Sequence, residues 1–412
     1  MLIDGKLKII LGYIMNYLIK NIIRKNIYVI LLFLMIFTPD FNYFRLEDII
    51  IISVILFEII NKKRIVIPKT VAIYFILFII VYSLSITNYI LFINQGIDLM
   101  TGLKEIVRSV KILFIFIIFQ KKIVYFKMPN LNKFVFYSVI IVLVEIMQIY
   151  NLFNINNIII TFYKPGIAQY YNISSNAIKY GMFRATATFY NPNILASFLL
   201  ISFIVVINMY KKNNKIITLV SLITISAGIF LSQSNTGILG ILAIIFVLYI
   251  IELKRKNKSN NAIIAISIFT IVLLFSVNIL ITKYNLARDE ERSIYQILAS
   301  REYAYTKFLE IFNKYPILGM SPIFAKDYPY DSEYFFILIN YGLLGLIIYL
   351  KAIITLLRRL KCYFKIEADE IIILILLVPF IGMTNGFVFS NRIFPIYLII
   401  FNYFISKNEK CI

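Results

Sequence analysis

Apolar runs of about bilayer length recur from one end of this chain to the other, broken by short polar stretches. A helix rises about 1.5 Å per residue and the hydrocarbon slab is roughly 30 Å thick, so one crossing takes about 20 residues. The runs are apolar all round rather than along one stripe, as helices facing lipid are. They place spans near 27–38, 48–61, 70–87, 103–119, 134–150 and 192–210. Six more follow near 216–232, 237–252, 262–281, 333–350, 370–388 and 393–405. The expected fold is therefore all-α, a polytopic transmembrane helical bundle of about twelve spans with no separate soluble domain. Residues 1–25, with Lys6, Lys8, Lys20, Arg24 and Lys25, read as an amphipathic segment on the inner surface.

Charge sets the orientation. A net charge of +21 could suggest a nucleic-acid partner, but the Lys and Arg residues sit in clusters between apolar runs, as cytoplasmic loops do. With the first segment inside, the inner loops hold Lys62-Lys63-Arg64, Lys121-Lys122, Lys211-Lys212, Lys254-Arg255-Lys256 and Arg358-Arg359. Both termini then lie in the cytoplasm. Cys362 and Cys411 fall on that reducing side, so no disulfide is expected. The first apolar run lacks a small-residue cleavage site and reads as a retained segment rather than a signal peptide. The chain has no histidine, which leaves carboxylates, Arg, Lys, Tyr and hydroxyls for any catalysis.

Two outward segments, 151–191 and 282–332, are too polar to face lipid and too long to be simple connectors. In the second, Ser300 can cap a helix over 301–315 that places Ala304, Phe308, Ile311, Phe312 and Tyr315 on one face, with Pro316 ending it. Such a helix would lie flat over the bundle. Candidate chemistry clusters at these segments. Arg184 to Asn193 sets a cation, hydroxyls and amides where the outer loop meets a span, and Pro192 suits a first helical turn able to favour an anion; a capped helix start with a solvated Arg fits the same residues. Ser300-Arg301-Glu302-Tyr303 precedes Tyr315-Pro316-Ile317-Leu318-Gly319, which also reads as an interfacial helix with a Gly C-cap. Asp331 and Glu333 stand at the mouth of a span, where a carboxylate could take a proton from a substrate hydroxyl, or Asp331 could simply be an N-cap. Within the membrane, Glu105, Arg108 and Lys111 form one stripe on the fourth span, and Glu145 lies at similar depth on the fifth. Ions there cost roughly 2.5–3.5 kcal/mol each, so Arg108 or Lys111 is expected to pair with Glu145, structurally or as a pocket open to a lipid headgroup.

Taken in order, these segments resemble the O-antigen polymerase and ligase family of bacterial membrane glycosyltransferases. The family pattern runs Arg-x-x-Gly-x-Phe-x-Asn-Pro-Asn, a Ser-x-Thr-Gly turn, an Arg followed by a distant Pro-x-x-Gly, then His-Asn or Asp-Asn and a Gly-x-x-Gly helix. Here the counterparts are Arg184 to Asn193, Ser234-Asn235-Thr236-Gly237, Arg301 to Gly319, and Asp331 to Gly345. The resemblance implies a GT-C-like bundle in which 26–180 are N-terminal membrane helices, 181–350 the polymerase/ligase core with outer loop 282–332, and 351–412 the C-terminal membrane helices. It also implies an undecaprenyl-diphosphate-linked glycan donor, a second lipid-linked glycan as acceptor, membrane lipid around both, and no metal or nucleotide cofactor. Chain-length regulator and flippase proteins are the partners it suggests. Arg184, Asn193 and Arg301 would bind substrate, with Arg108, Lys111 and Glu145 as a further substrate pocket; Arg301, Asp331 and Glu333 would be catalytic. The chain departs from the pattern at three places: Ala187 stands where Gly is frequent, Asn235 where Arg is common, and Asp331 where ligases carry histidine. The last departure points to a polymerase of surface polysaccharide rather than a ligase. A lipid-linked oligosaccharide flippase or permease would share the span count and buried charges, but the two halves show no repeat.

Overall fold

The computed structural model describes residues 24–39, 45–51, 69–92, 130–163, 184–189, 191–213, 216–255, 306, 308–321, 332–358, 368–382, 390 and 392–407. Ten α-helices can be bounded among them. They are α1 (Arg24–Phe37), α2 (Lys69–Phe92), α3 (Leu131–Ile149), α4 (Ile155–Tyr163) and α5 (Pro192–Asn213). The others are α6 (Ile216–Leu231), α7 (Asn235–Arg255), α8 (Glu333–Arg358), α9 (Asp369–Gly382) and α10 (Ile393–Lys407). Five stretches are long and apolar enough to cross a membrane: Ala72–Ile90, Leu131–Ile149, Pro192–Lys211, Asn235–Leu253 and Glu333–Thr355. The protein is an all-helical integral membrane protein. The expected spans at 103–119 and 262–281, and most of 48–61, lie outside the described residues.

Local chemistry explains where these helices begin. Asn130 caps α3 through Asn132 N, and Asn191 caps α5 through Asn193 N at 2.7 Å, with Pro192 at the first helical position as its spacing suggested. Ser234, Ser332 and Ser390 do the same for α7, α8 and α10. The cap of α8 is thus Ser332 rather than Asp331, because the helix starts one residue later than the acidic pair implied. Inside the spans, hydroxyls bond back to their own helix: Ser202 to Phe198 O, Ser221 to Ile217 O and Thr224 to Val220 O. Lipid supplies no partner, so polar groups find one within the chain.

Helix α5 is the axis of the bundle. Burial reaches 78% over its apolar window, against 22% over that of α2 at the rim. It packs against α3, α6, α7, α9 and α10. Small residues permit the close approaches: a Cβ on Gly237 of α7 would lie 2.9 Å from Ala196 Cβ of α5, and one on Gly240 would strike Leu200. Ser138 of α3 donates to Ser202 of α5 at 2.8 Å, and at the far end Lys211 meets Asp369 at 3.4 Å.

α8 is not the straight crossing that the run 333–350 suggested. Gly342 breaks it with φ 61° and ψ −162°. Tyr349 then packs on Tyr334, ring centroids 5.9 Å apart, where a straight helix would separate them by about 22 Å. The chain folds back on itself at this glycine. The second limb runs along α2, with Tyr74 bonded to Thr355 at 2.7 Å, while Phe78 of α2 meets Tyr341 at the end of the first limb.

Candidate functional site

At one end of the bundle, the start of α5, the α6–α7 turn and the segment 184–189 converge. The Asn193 side-chain oxygen accepts from Arg184 Nη2 at 2.9 Å and from Ser234 Oγ at 2.8 Å. Ser234 is fully buried and also receives Gly237 N at 3.3 Å. Two motifs separated by forty residues therefore share one oxygen atom. Arg184 is half-buried, its guanidinium turned toward the helix start. This is a cation held beside the N-terminal amides of α5, an arrangement that favours a negatively charged ligand.

The loop carrying Arg184 is fixed from outside itself. Gln148, at the end of α3, accepts from Thr186 N at 2.9 Å and Ala187 N at 2.8 Å, and donates to Thr186 Oγ1 at 3.2 Å. Ala187 adopts φ 46° in the bend that results, a left-handed conformation that a glycine would take without strain. That explains why glycine suits the equivalent place in the motif.

On the other side, the loop is tied to the end of α1. The last carbonyls of a helix have no partner within it. Here Leu34 O receives Thr38 Oγ1 at 2.6 Å, Met35 O receives Arg45 at 3.2 Å and Ile36 O receives Thr188 Oγ1 at 2.7 Å. Phe37 O receives the Tyr163 hydroxyl at 2.6 Å. Thr38 O takes both Arg45, at 3.2 Å, and Arg392, whose other nitrogen donates to Thr188 O. Arg45 is paired with Glu47 at 2.8 Å, and Arg392 lies over the rings of Tyr163 and Phe189. Burial pushes the Tyr163 phenol above its ordinary value while Arg392 and Arg45 pull it back, so at neutral pH it remains a donor. Cations at a helix C-terminus are in the favourable place for its dipole. Arg45, Gln148 and Arg392 were missed from sequence. Arginines flanking apolar runs at the end where the charge rule leaves few were the available signal for Arg45 and Arg392.

Two further candidates among the described residues are buried carboxylates. Glu333 is fully buried rather than exposed at a mouth; a Cβ on Gly382 would sit 3.0 Å from its Oε2 and 3.5 Å from the Tyr349 hydroxyl. Glu145 is fully buried against Gly228 of α6, with no hydrogen-bond partner among the described residues. Arg108, Lys111, Arg301 and Asp331 lie outside the described residues. No cluster of potential metal ligands occurs among the described residues.

The Pro316–Gly319 and Gly342–Gly345 motifs meet as backbone on backbone. Residues 308–314 form a helix whose Phe308 and Ile311 are buried and whose Phe312 and Tyr315 pack beside them, the face expected of it. Gly319 N then caps it on Tyr315 O at 3.0 Å, with φ 68°. Leu343 N donates to Pro316 O at 2.8 Å and Ser321 N to Asn340 O at 3.1 Å. A Cβ on Gly342 would lie 2.3 Å from Ile317 O, and one on Gly319 2.5 Å from Ile339 O. Neither glycine has room for a Cβ, while from α2 Asn88 Nδ2 donates to Gly319 O at 3.1 Å and Ser85 Oγ to Asn340 O at 2.7 Å.

Residues 219–350, which contain Ser234, Gly237 and this whole junction, match the family model described as O-antigen ligase. This match supports membership of the O-antigen polymerase and ligase family. The match starts after Arg184 and Asn193, so it is the fold that joins those two residues to the matched segment through Ser234. Members of the O-antigen polymerase and ligase family are membrane enzymes acting on lipid-linked glycans, which places this chain in polysaccharide assembly. No curated protein and no solved structure matches the chain.

Proposed function

We propose that the protein is a metal-independent, inverting glycosyltransferase that polymerises undecaprenyl-diphosphate-linked oligosaccharide repeats of O-antigen, capsule or exopolysaccharide. It would work on the outer face of the bacterial cytoplasmic membrane. The observation that carries this reading is the Arg184–Asn193–Ser234 group, a fixed guanidinium at a helix start inside a membrane-protein family that handles lipid-linked glycans. The bond to be cleaved joins an anomeric carbon to a diphosphate. Negative charge grows on the diphosphate as it departs, so a positioned cation stabilises the transition state more than the ground state. A guanidinium suits the task because it stays charged and its fork fits phosphate oxygens. Arg184 and Arg301 take this role, with Asn193 orienting Arg184. Asp331 receives the proton of the attacking hydroxyl, since the carboxylate of Glu333 is enclosed beside Gly382, and attack from the opposite face inverts the anomeric centre. Arg108, Lys111 and Glu145 are assigned to a polar pocket near the lipid headgroup, and chain-length regulator and flippase proteins to the surrounding assembly.

A ligase is the second reading, favoured by the description of the matched family. The absence of histidine weighs against it, since ligases of the pattern use that residue to activate the acceptor. Purified protein in vesicles with lipid-linked repeat units should yield a ladder of longer glycans. Transfer to a lipid A core without a ladder would establish the ligase instead. Arg184→Ala and Arg301→Ala should each abolish the ladder; a ladder that survives loss of both removes the mechanism.

A further inference from the structure

Helix α4 interrupts the segment 151–191, where a polar outward loop was expected. Three residues with positive φ, Asn151 at 46°, Phe153 at 54° and Asn154 at 57°, end α3 and restart the helix in a new direction. Non-glycine residues hold such angles only where their surroundings repay the strain. Yet Phe153 is 88% exposed, with almost no protein over its ring.

The surface of α4 divides into three stripes. Asn156, Ile159, Ile160 and Tyr163 turn toward the protein, where Ile160 packs on Ala185 and the Tyr163 hydroxyl holds Phe37 O. Ile158 and Phe162 form an exposed apolar stripe, and Asn157 and Thr161 an exposed polar one beside it. A line of exposed apolar residues also runs along α3 and its end, Phe136, Leu143 and Tyr150, seven apart. No residue of α4 is charged.

We infer that α4 lies in the membrane interface, with Phe153, Ile158 and Phe162 inserted at the boundary of acyl chains and headgroups. Three stripes are what a helix needs when it touches protein, hydrocarbon and water at once. A protein partner covering this face would strip water from Asn157 and Thr161 as well; a bilayer surface leaves them wet. Aromatic rings settle at that boundary, about 5–10 Å below the headgroups. Burial of Phe153 in lipid also supplies what holds the strained bend. Because Ile160 and Tyr163 bear on the Arg184 loop and the end of α1, lipid contact at α4 fixes the depth of that loop relative to the bilayer.

The chain has no tryptophan, so a single introduced indole is an unambiguous probe. Phe153→Trp and Phe162→Trp sample the apolar stripe, Asn157→Trp and Thr161→Trp the polar one; all four positions are exposed, so folding is undisturbed. The full chain is placed in phosphatidylcholine vesicles carrying bromine either near the headgroup or near the tail end of the acyl chain. Expected is blue-shifted emission at 153 and 162, lost more strongly to shallow than to deep bromine, with red, unquenched emission at 157 and 161. Unquenched emission at 153 and 162, or equal quenching at all four positions, overturns the inference.

Discussion

Two loops near the same end of this molecule are held by opposite means. The 184–189 segment is gripped by side chains: Gln148 from α3, Arg392 at the start of α10, and Thr188 reaching to α1. The 316–321 segment is gripped mainly by backbone, its carbonyls and amides paired with those around Gly342, with the Asn88 side chain added at Gly319 O. A side-chain grip can be adjusted one atom at a time and can present a charge such as Arg184. A backbone grip is indifferent to side-chain identity except at the glycines, where any Cβ collides. The first arrangement suits a site that must recognise something, the second a hinge point that must not move.

That contrast can be attacked from the rigid side first. Gly342→Ala puts a methyl group 2.3 Å from Ile317 O at a positive φ, with only main chain to yield. The loss should be about 3 kcal/mol, read as a large fall in the unfolding temperature of the purified protein in detergent. Unchanged stability would mean that the fold-back of α8 is not held there. At the adjustable grip, Gln148→Leu leaves Thr186 N and Ala187 N buried and unmatched, at a cost of about 1–3 kcal/mol. Glycan-ladder formation should fall further than stability does, because the loop that aims Arg184 loosens first; a fall in stability with full activity would break the link to the site. Smallest is Ala187→Gly, which relieves a left-handed alanine and should stabilise by about 1 kcal/mol with activity retained. Destabilisation there would show that the methyl group packs more than it strains.

The two grips also differed in how far they could be seen in advance. Helices at α3, α5, α6, α7 and α10 followed directly from apolar runs, because in lipid a segment must satisfy its own backbone and length alone decides. Pro192 marked the start of α5 and Pro316 the end of the short helix before it, since each fixes φ or removes a donor. The glycines at 319 and 342 were visible as motif residues, although their partnership was not; spacing says that a glycine is needed, not what comes close to it. The side-chain grip was invisible. Gln148 read as an ordinary polar residue ending a span, and Arg392 lies two hundred residues from Thr188 in sequence. Glu333 shows a related limit: its place ahead of an apolar run implied a surface position, and the reversal at Gly342 carries it inside instead.

The same reversal leaves the limb from Leu343 to Arg358 as the only part of α8 that can traverse the membrane, about 24 Å at 1.5 Å per residue. Hydrocarbon is roughly 30 Å thick, so this limb alone falls short of a full crossing, where its neighbour α2, with 24 residues, does not. Two packed helices of unequal reach therefore give the α2–α8 flank an uneven height.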